Sequence, residues 1–235
     1  MKLNFWEWML VNNPVRALVQ RHFEGPLLLG KTGRLDGKHV LEIGCGRGVG
    51  IEVILRQFGA GHVTAIDLDP RMIERAKRRH ASVPRERLTL RVGDASTIDA
   101  PDAAFDAVFD FGIVHHIQDW QKAIAEVARV LKPGGLFVFE EVTRSGLNRW
   151  IYRTFLEHPT ENRFSAEEWM AELGRNKIQL EGEVKTLSSG DIFVGVGRLI
   201  RAGCSAVGGW PDRSGESHHT RVGRSAEPRV PHDRQ

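Results

Sequence analysis

Cysteine is scarce in this 235-residue chain, which contains only Cys45 and Cys204. Two cysteines so far apart argue against a disulfide framework and against a zinc site, so we predict no metal centre and a reducing compartment. No apolar run reaches the roughly 18 residues that a membrane-spanning helix needs. The first residues also lack the long apolar core of a signal peptide, and together these absences predict a cytoplasmic protein.

A dense run of lysine or arginine is missing as well. The formal net charge is only +3, although the isoelectric point is about 9.1. The last 33 residues, 203–235, carry 5 Arg, 4 acidic residues and no Lys, so the small basic excess is spread along the chain. Because nucleic-acid binding needs clustered positive charge, we expect no nucleic-acid partner.

Composition also predicts the domain boundaries. Residues 203–235 are rich in Gly, Pro and Ser and poor in apolar side chains, which predicts a disordered tail. The segment 1–35 has an apolar, helical pattern and is predicted to form an N-terminal helical cap. The remaining segment, 36–202, is predicted to form the main domain.

Short apolar runs alternate with amphipathic stretches in the main domain. The apolar runs predict five strands: His39–Cys45, His62–Leu68, Leu88–Val92, Phe105–Phe111 and Leu136–Val142. Helical spacing predicts Val49–Phe58, a helix beginning at Pro70, and Trp120–Leu131, which a Lys-Pro-Gly-Gly turn ends. Strands that alternate with helices in this way form right-handed βαβ units around a parallel sheet.

The pattern changes near the end of the main domain. Ser165 and Glu168 form a capping-box signature for a short helix. Two further apolar runs, Glu183–Leu187 and Ile192–Leu199, flank a turn sequence and predict a hairpin. The predicted fold is therefore α/β, a doubly wound and mostly parallel seven-stranded Rossmann-like sheet that ends in an antiparallel hairpin.

The strongest local signal is a glycine loop after the first strand. The sequence Glu42-Ile-Gly44-Cys45-Gly46-Arg-Gly48 leads from a buried strand directly into a helix. Glycines allow a ligand to approach the backbone closely, and the helix N-terminus presents free N–H groups. A plain turn rarely has three alternating glycines. The dinucleotide fingerprint would need a glycine at position 49, where this chain has Val49.

This loop resembles motif I of class I S-adenosylmethionine-dependent methyltransferases. Later motifs agree in order: Asp67 ends the second strand, Gly93-Asp94-Ala95 ends the third, and a Pro-Gly-Gly turn precedes the fifth. The resemblance implies methyl transfer from S-adenosylmethionine, with Asp67 on the ribose and Asp94 on the adenine amine. The implied cofactor-binding residues are Glu42, Gly44, Cys45, Gly46, Gly48, Asp67, Leu68, Asp94, Ala95 and Asp110.

Two histidines follow the fourth strand, where this family places the transferred methyl group. His115 and His116 begin a His-His-x-x-Asp pattern that resembles the quinone-biosynthesis methyltransferases, and either ring could accept a proton. The alternative is that one histidine packs under the sheet and the other fixes the loop, and Asp110 could likewise be a loop cap. The Pro-Pro-Tyr type signature of enzymes that methylate nucleic-acid amino groups is absent here.

The acceptor is predicted to be a small or lipid-like molecule. Trp150, Tyr152 and Arg153 lie in a variable segment and are candidate substrate-binding residues. The apolar N-terminal helix could make peripheral membrane contact, although packing over the site is an alternative. Three other functions remain open: a non-catalytic S-adenosylmethionine-binding protein, an RNA or protein methyltransferase, and a nicotinamide-dependent oxidoreductase.

Overall fold

A mostly parallel β-sheet forms the centre of the protein in the computed structural model, which describes residues 14–147, 162–187 and 191–200. The strand order is β3-β2-β1-β4-β5-β8-β6, and β7 also pairs with β8. The strands are β1 His39–Ile43, β2 His62–Asp67, β3 Leu88–Val92, β4 Phe105–Phe111, β5 Leu131–Val142, β6 Ile178–Leu180, β7 Lys185–Leu187 and β8 Ile192–Leu199.

Helices cover both faces of this sheet. They are α1 Pro14–Val19, α2 Gly25–Thr32, α3 Val49–Val53, α4 Pro70–Arg79, α5 Trp120–Val130, α6 Arg144–Leu147 and α7 Ala166–Arg175. A π-helical segment, Gln20–Glu24, joins α1 to α2, and a second one, Ile54–Phe58, continues α3. A 3₁₀ turn, Val114–His116, follows β4.

The predicted fold class is confirmed, with one refinement at the sheet edge. Strands β1 to β5 are parallel, and β8 runs antiparallel to β5, so the sheet ends in the predicted hairpin. Both β6 and β7 pair with the same edge of β8, one after the other. The seventh position of the sheet is therefore filled by two short segments, interrupted where Gly182 has a φ of +73°.

Local sequence signals explain where several helices begin. The Asp69 side chain accepts a hydrogen bond from the Arg71 N–H, and Pro70 occupies the first turn of α4. Ser165 and Glu168 form the predicted capping box of α7. The predictions at these two positions are confirmed.

The Pro-Gly-Gly segment differs from the prediction. The helix ends at Val130 and β5 begins at once with Leu131, five residues earlier than expected. Phe105 pairs with Leu131, whereas Ala107 pairs with Leu136, so residues 132–135 form an irregularity inside the strand. The predicted turn is thus a bulge of β5, which is possible because Gly134 adopts a φ of +83°.

Two apolar layers hold the sheet between its helices. One layer packs α2, α3 and α4 on side chains such as Val40, Val63 and Phe109. The other packs α5 and α7 on the opposite face, around Leu41, Phe139 and Trp169 among others. Because alternate residues of a strand face opposite sides, neighbouring strand residues enter different layers. The predicted tail, 203–235, and residues 1–13 of the predicted cap lie outside the described residues.

Candidate active site at the switch point of the sheet

The topology places one crevice at the carboxyl ends of β1 and β4. From β1 the chain adds β2 and β3 on one side, and then crosses to add β4 and β5 on the other side. Ligands of open α/β sheets bind outside the strand ends at this kind of switch point. The glycine loop between β1 and α3 lies at this edge, as do the residues that follow β2, β3 and β4.

The glycine loop is shaped by close packing on both of its sides. Gly44 has a φ of +64°, and a Cβ atom built there would lie 2.5 Å from side-chain carbons of Ile113. Gly48 has a φ of +84°, and its carbonyl oxygen lies 2.7 Å from Nε2 of the buried His80. The glycine loop therefore contacts His80, which directly follows α4, and Ile113, which lies in the segment after β4.

We predict that Gly44→Ala costs more stability than Gly46→Ala. Both positions have positive φ, which costs roughly 1–2 kcal/mol for an L-residue. A Cβ at Gly44 would also collide with Ile113, which adds about 1–3 kcal/mol, whereas a Cβ at Gly46 meets no atom within 4 Å. Urea denaturation of the two variants measures the difference, and equal losses would contradict the packing described here.

Asp67 joins the end of β2 to the glycine loop. Its Oδ2 accepts a hydrogen bond from the Gly46 N–H at 2.8 Å, and its Oδ1 accepts one from the Asp69 N–H at 2.8 Å. Burial raises the pKa of this carboxyl, although the two N–H donors act in the opposite direction. The predicted ribose-binding acid is thus fixed in orientation beside the loop.

Glu42 lies beneath the same loop in a fully buried position. A Cβ at Gly50 would lie 2.0 Å from Oε1 of Glu42, so the glycine in α3 leaves the room that this carboxyl occupies. Burial raises the pKa of Glu42 well above its usual range, and repulsion from Asp67 adds to the effect. Within the described part of the chain, Oε2 of Glu42 has no hydrogen-bond partner.

Apolar side chains are exposed at the carboxyl ends of β2 and β3. Leu68 is 50% exposed after β2, and Val92 is 56% exposed at the end of β3. Asp94 accepts hydrogen bonds from the N–H and hydroxyl of Ser96, which orders the turn after β3, and Ala95 is buried there. This edge thus offers an apolar surface beside a fixed carboxylate.

A second acidic group lies at the ends of β4 and β5. Asp110 is fully buried, and its Oδ1 accepts a hydrogen bond from the Ile113 N–H at 2.9 Å. Glu141 on the neighbouring strand is also fully buried, and its Oε2 lies 2.6 Å from Nδ1 of His115. Burial raises the pKa of Asp110 well above its usual range, and repulsion from Glu141 raises it further.

The opposite face of β5 carries a separate ion pair. Glu140 follows the alternation of the strand and faces the N-terminal helix, where Arg16 contacts both Glu140 and Glu24. Burial raises the pKa of Glu140 well above its usual range, although Arg16 opposes the shift. The two adjacent glutamates therefore belong to different sites on different faces of the sheet.

The structure brings most of the predicted residues to one edge of the sheet. The glycine loop lies there together with Glu42, Asp67 and Leu68, with Asp94 and Ala95, and with Asp110, His115 and His116. The candidate substrate residues Trp150, Tyr152 and Arg153 lie outside the described residues. Among the described residues, no group of three or more His, Cys, Asp or Glu side chains could hold a metal ion.

Three residues of this region, Glu141, His80 and Val92, were not predicted from the sequence. The sequence Phe-Glu140-Glu141-Val in an otherwise apolar strand was a usable signal for the first of these. Two adjacent acids in a central strand must each enter one of the buried layers, and buried acids need partners. No comparable sequence pattern indicates a role for His80 or Val92.

Similarity to known proteins agrees with this arrangement. Residues 41–139 match a family model described as a methyltransferase domain. The chain is 37% identical over 107 residues to the fatty-acid O-methyltransferase of Mycolicibacterium smegmatis, a match that covers 46% of this chain and 38% of that protein. It is 35% identical over 108 residues to the phthiotriol/phenolphthiotriol dimycocerosates methyltransferase of Mycobacterium tuberculosis, covering 46% and 39%. The chain thus spans about two fifths of the length of these curated relatives.

A solved structure supports the fold. An S-adenosylmethionine-dependent methyltransferase from Aquifex aeolicus superposes with a TM-score of 0.66 at 20% identity. The match covers 85% of this chain and all of that one. The narrower resemblance to quinone-biosynthesis enzymes stays a prediction. In the described ranges, no helix is long and apolar enough to cross a membrane.

Proposed function

Because residues 41–139 form a domain of the class I S-adenosylmethionine-dependent methyltransferases, we propose that the protein methylates a small or lipid-like acceptor. The observation that carries the proposal is the carboxylate of Asp67, fixed against the glycine loop at the switch point of the sheet. An acid at the end of the second strand is suited to bind the hydroxyl groups of a ribose.

The residues at this edge fit S-adenosylmethionine chemically. Its sulfonium and ammonium groups are positively charged, and the crevice is surrounded by Glu42, Asp67 and Asp110, whose pKa values are raised by burial. A bound cation would favour the carboxylate forms of these groups. Leu68 and Val92 offer apolar contacts for the adenine ring, and Asp94 is a candidate for its amino group.

Cofactor binding would also involve the loop backbone. Gly44, Cys45, Gly46 and Gly48 are the candidate contacts, and Gly46 is the open point of the loop, with no atom within 4 Å of the position that a Cβ would take. When bound, S-adenosylmethionine supplies an electrophilic methyl group. The chain's own task is to align the acceptor and exclude water, and alignment alone can lower a barrier by about 7–11 kcal/mol.

The acceptor side of the proposal rests on His115 and His116 and on the relatives. Both histidines follow β4 at the edge where the glycine loop lies, and either could take a proton from an acceptor. The relatives named above act, by their names, on a fatty acid and on phthiotriol lipids. We therefore propose a lipid-like acceptor for this chain as well. Candidate contacts with the acceptor are Trp150, Tyr152 and Arg153. The N-terminal helix is a candidate membrane contact.

Incubation of the full chain with S-adenosylmethionine carrying a labelled methyl group tests this function. Label should appear in an organic-extractable product when lipid-like acceptors are added. Label in added RNA or in protein would favour the rival methyltransferase classes instead. Binding of the cofactor without transfer to any acceptor would favour a non-catalytic binding protein.

A further inference from the structure

We propose that Glu141 positions His115 as the base that deprotonates a hydroxyl acceptor, so that the substrate is an alcohol or a phenol rather than a carboxylate. This inference rests on the proposed methyltransferase function. It goes further because it selects one of the two histidines, names a positioning residue, and chooses between two classes of acceptor.

Glu141 holds both the ring and the main chain of the turn that carries His115. Its Oε2 lies 2.6 Å from Nδ1 of His115, and its Oε1 accepts hydrogen bonds from the N–H groups of Val114 at 2.6 Å and His115 at 3.4 Å. The Glu141 side chain is fully buried, and that of His115 is only 8% exposed. One carboxylate thus fixes the whole 3₁₀ turn.

The chemistry of the imidazole then determines which ring nitrogen is basic. Backbone N–H groups of Val114, His115 and Val142 donate to Glu141 and favour its ionised form. An ionised carboxylate can only accept, so we infer that Nδ1 carries the proton and donates it to Glu141. In the neutral ring the lone pair then belongs to Nε2, which makes Nε2 the basic atom. The Glu141 charge also stabilises the imidazolium that forms when Nε2 takes a proton, which is the role of the carboxylate in a Ser-His-Asp triad.

His115 lies at the edge of the sheet where we place the cofactor. It follows Ile113 by two residues, and the Ile113 side chain packs directly on Gly44 of the glycine loop. The hydrogen bond from the Ile113 N–H to Asp110 fixes the start of the same turn at the end of β4. The pair of Glu141 and His115 therefore belongs to the candidate active site.

The need for a base separates the two acceptor classes. A carboxylic acid is already ionised near neutral pH and attacks a methyl group without a base. An alcohol or phenol keeps its proton at that pH and profits from a positioned base by about 10²–10⁴-fold. A buried carboxylate that orients a histidine base therefore favours a hydroxyl acceptor over a carboxylic acid.

The proton and the electron pairs each have a defined destination in this reaction. The acceptor O–H bond breaks as its proton passes to Nε2 of His115, and the oxygen forms a bond with the methyl carbon. The electron pair of the carbon–sulfur bond stays on sulfur, which becomes a neutral thioether. The proton leaves His115 to solvent before the next turnover.

The pH dependence follows from the groups around His115. In the described residues these are Glu141 on β5, Asp110 on β4 and His116, whose ring lies 4.2 Å from that of His115. Burial raises the pKa of Glu141 to about 7, and Asp110 is its close acidic neighbour. His115 can accept a proton only after the coupled pair of Glu141 and His115 has lost the proton that it binds at low pH. We therefore expect kcat to rise with pH across the neutral range.

The test compares Glu141→Gln with Glu140→Gln in the full chain. Glu141→Gln would keep an oxygen for the two N–H groups but remove the charge that faces His115, while the control removes the adjacent buried charge on the other face. We use 1-dodecanol and 4-nonylphenol as hydroxyl probes and dodecanoic acid as the carboxylate probe. Single-turnover transfer of labelled methyl is measured across pH, and S-adenosylhomocysteine binding is measured by calorimetry.

We expect wild type to methylate a hydroxyl probe and Glu141→Gln to lose about 10- to 100-fold in rate. Its pH profile should shift to lower pH because the imidazolium has lost its counter-charge, while Glu141→Asp should recover part of the rate. Glu140→Gln should keep the wild-type profile, and all variants should bind S-adenosylhomocysteine equally. Nitrogen NMR of labelled His115 should show a proton on Nδ1 in wild type.

Several outcomes overturn this inference. If Glu141→Gln behaves like Glu140→Gln, or if NMR places the proton of neutral His115 on Nε2, Glu141 does not position a base. If only dodecanoic acid is methylated, or none of the hydroxyl probes, the acceptor assignment is wrong. Failure of wild type to bind S-adenosylhomocysteine would instead remove the proposed function itself.

Discussion

Asp67→Ala should weaken the binding of S-adenosylhomocysteine by about 10- to 150-fold, which corresponds to roughly 1.5–3 kcal/mol. The wild-type carboxylate is held by the N–H groups of Gly46 and Asp69, each at 2.8 Å. Alanine would remove the acceptor for ribose hydroxyls and would also leave the Gly46 N–H without its partner. Both changes weaken the contact with the ribose, so the loss of binding free energy should exceed the contribution of a single neutral hydrogen bond.

Asp69→Ala is the matched control for this substitution. Asp69 is the next acid along the chain and caps α4 by accepting the Arg71 N–H at 2.9 Å. Its removal should cost about 1 kcal/mol of stability and leave the dissociation constant nearly unchanged. Calorimetric titration of both folded variants measures the contrast. Equal affinities in wild type and Asp67→Ala would show that the ribose does not bind at this carboxylate.

Trp169→Ala should lower the free energy of unfolding by about 3–5 kcal/mol. The Trp169 side chain is fully buried on α7, and its ring lies 4.8 Å from that of Phe164 and 5.5 Å from that of Phe139. It also stacks on Trp120 of α5, with ring centroids 5.9 Å apart. Alanine would leave a cavity among rings that belong to three different segments of the chain, and these cannot all move inward to fill it.

Trp169→Phe provides the control for shape. It keeps an aromatic ring and removes an indole N–H that has no hydrogen-bond partner in the described residues, so its loss should be well below that of alanine. Urea denaturation followed by circular dichroism measures both variants. A loss below about 1 kcal/mol for Trp169→Ala would mean that α7 does not pack on this layer as described.

Strands with clear local signals were predictable from sequence. The bounds predicted for β3 and β4 equal those in the structure, because each strand is a short apolar run between polar turns. The helix predicted for Val49–Phe58 has the same bounds, although its second half is π-helical. Helix α4 begins at Pro70 and Ser165 caps α7, both as predicted, since the start of a helix depends on residues only two or three positions away.

Features that depend on distant partners were not predictable from one sequence. Nothing near His115 reveals that Glu141, 26 residues later, lies against its ring; only the register of β4 and β5 brings the two together. The same holds for the division of the edge strand into β6 and β7, which is defined only by pairing with β8. Sequence therefore led to the two histidines but could not distinguish between them.

Calorimetric titration of S-adenosylhomocysteine into the full chain tests the central claim most directly. We predict one binding site per chain, with a dissociation constant between about 1 µM and 1 mM. Titration with NADH under the same conditions should give no binding, because Val49 replaces the third glycine of the dinucleotide fingerprint. Folded protein that binds NADH, or that binds neither ligand at millimolar concentrations, would contradict the assignment of this crevice to S-adenosylmethionine.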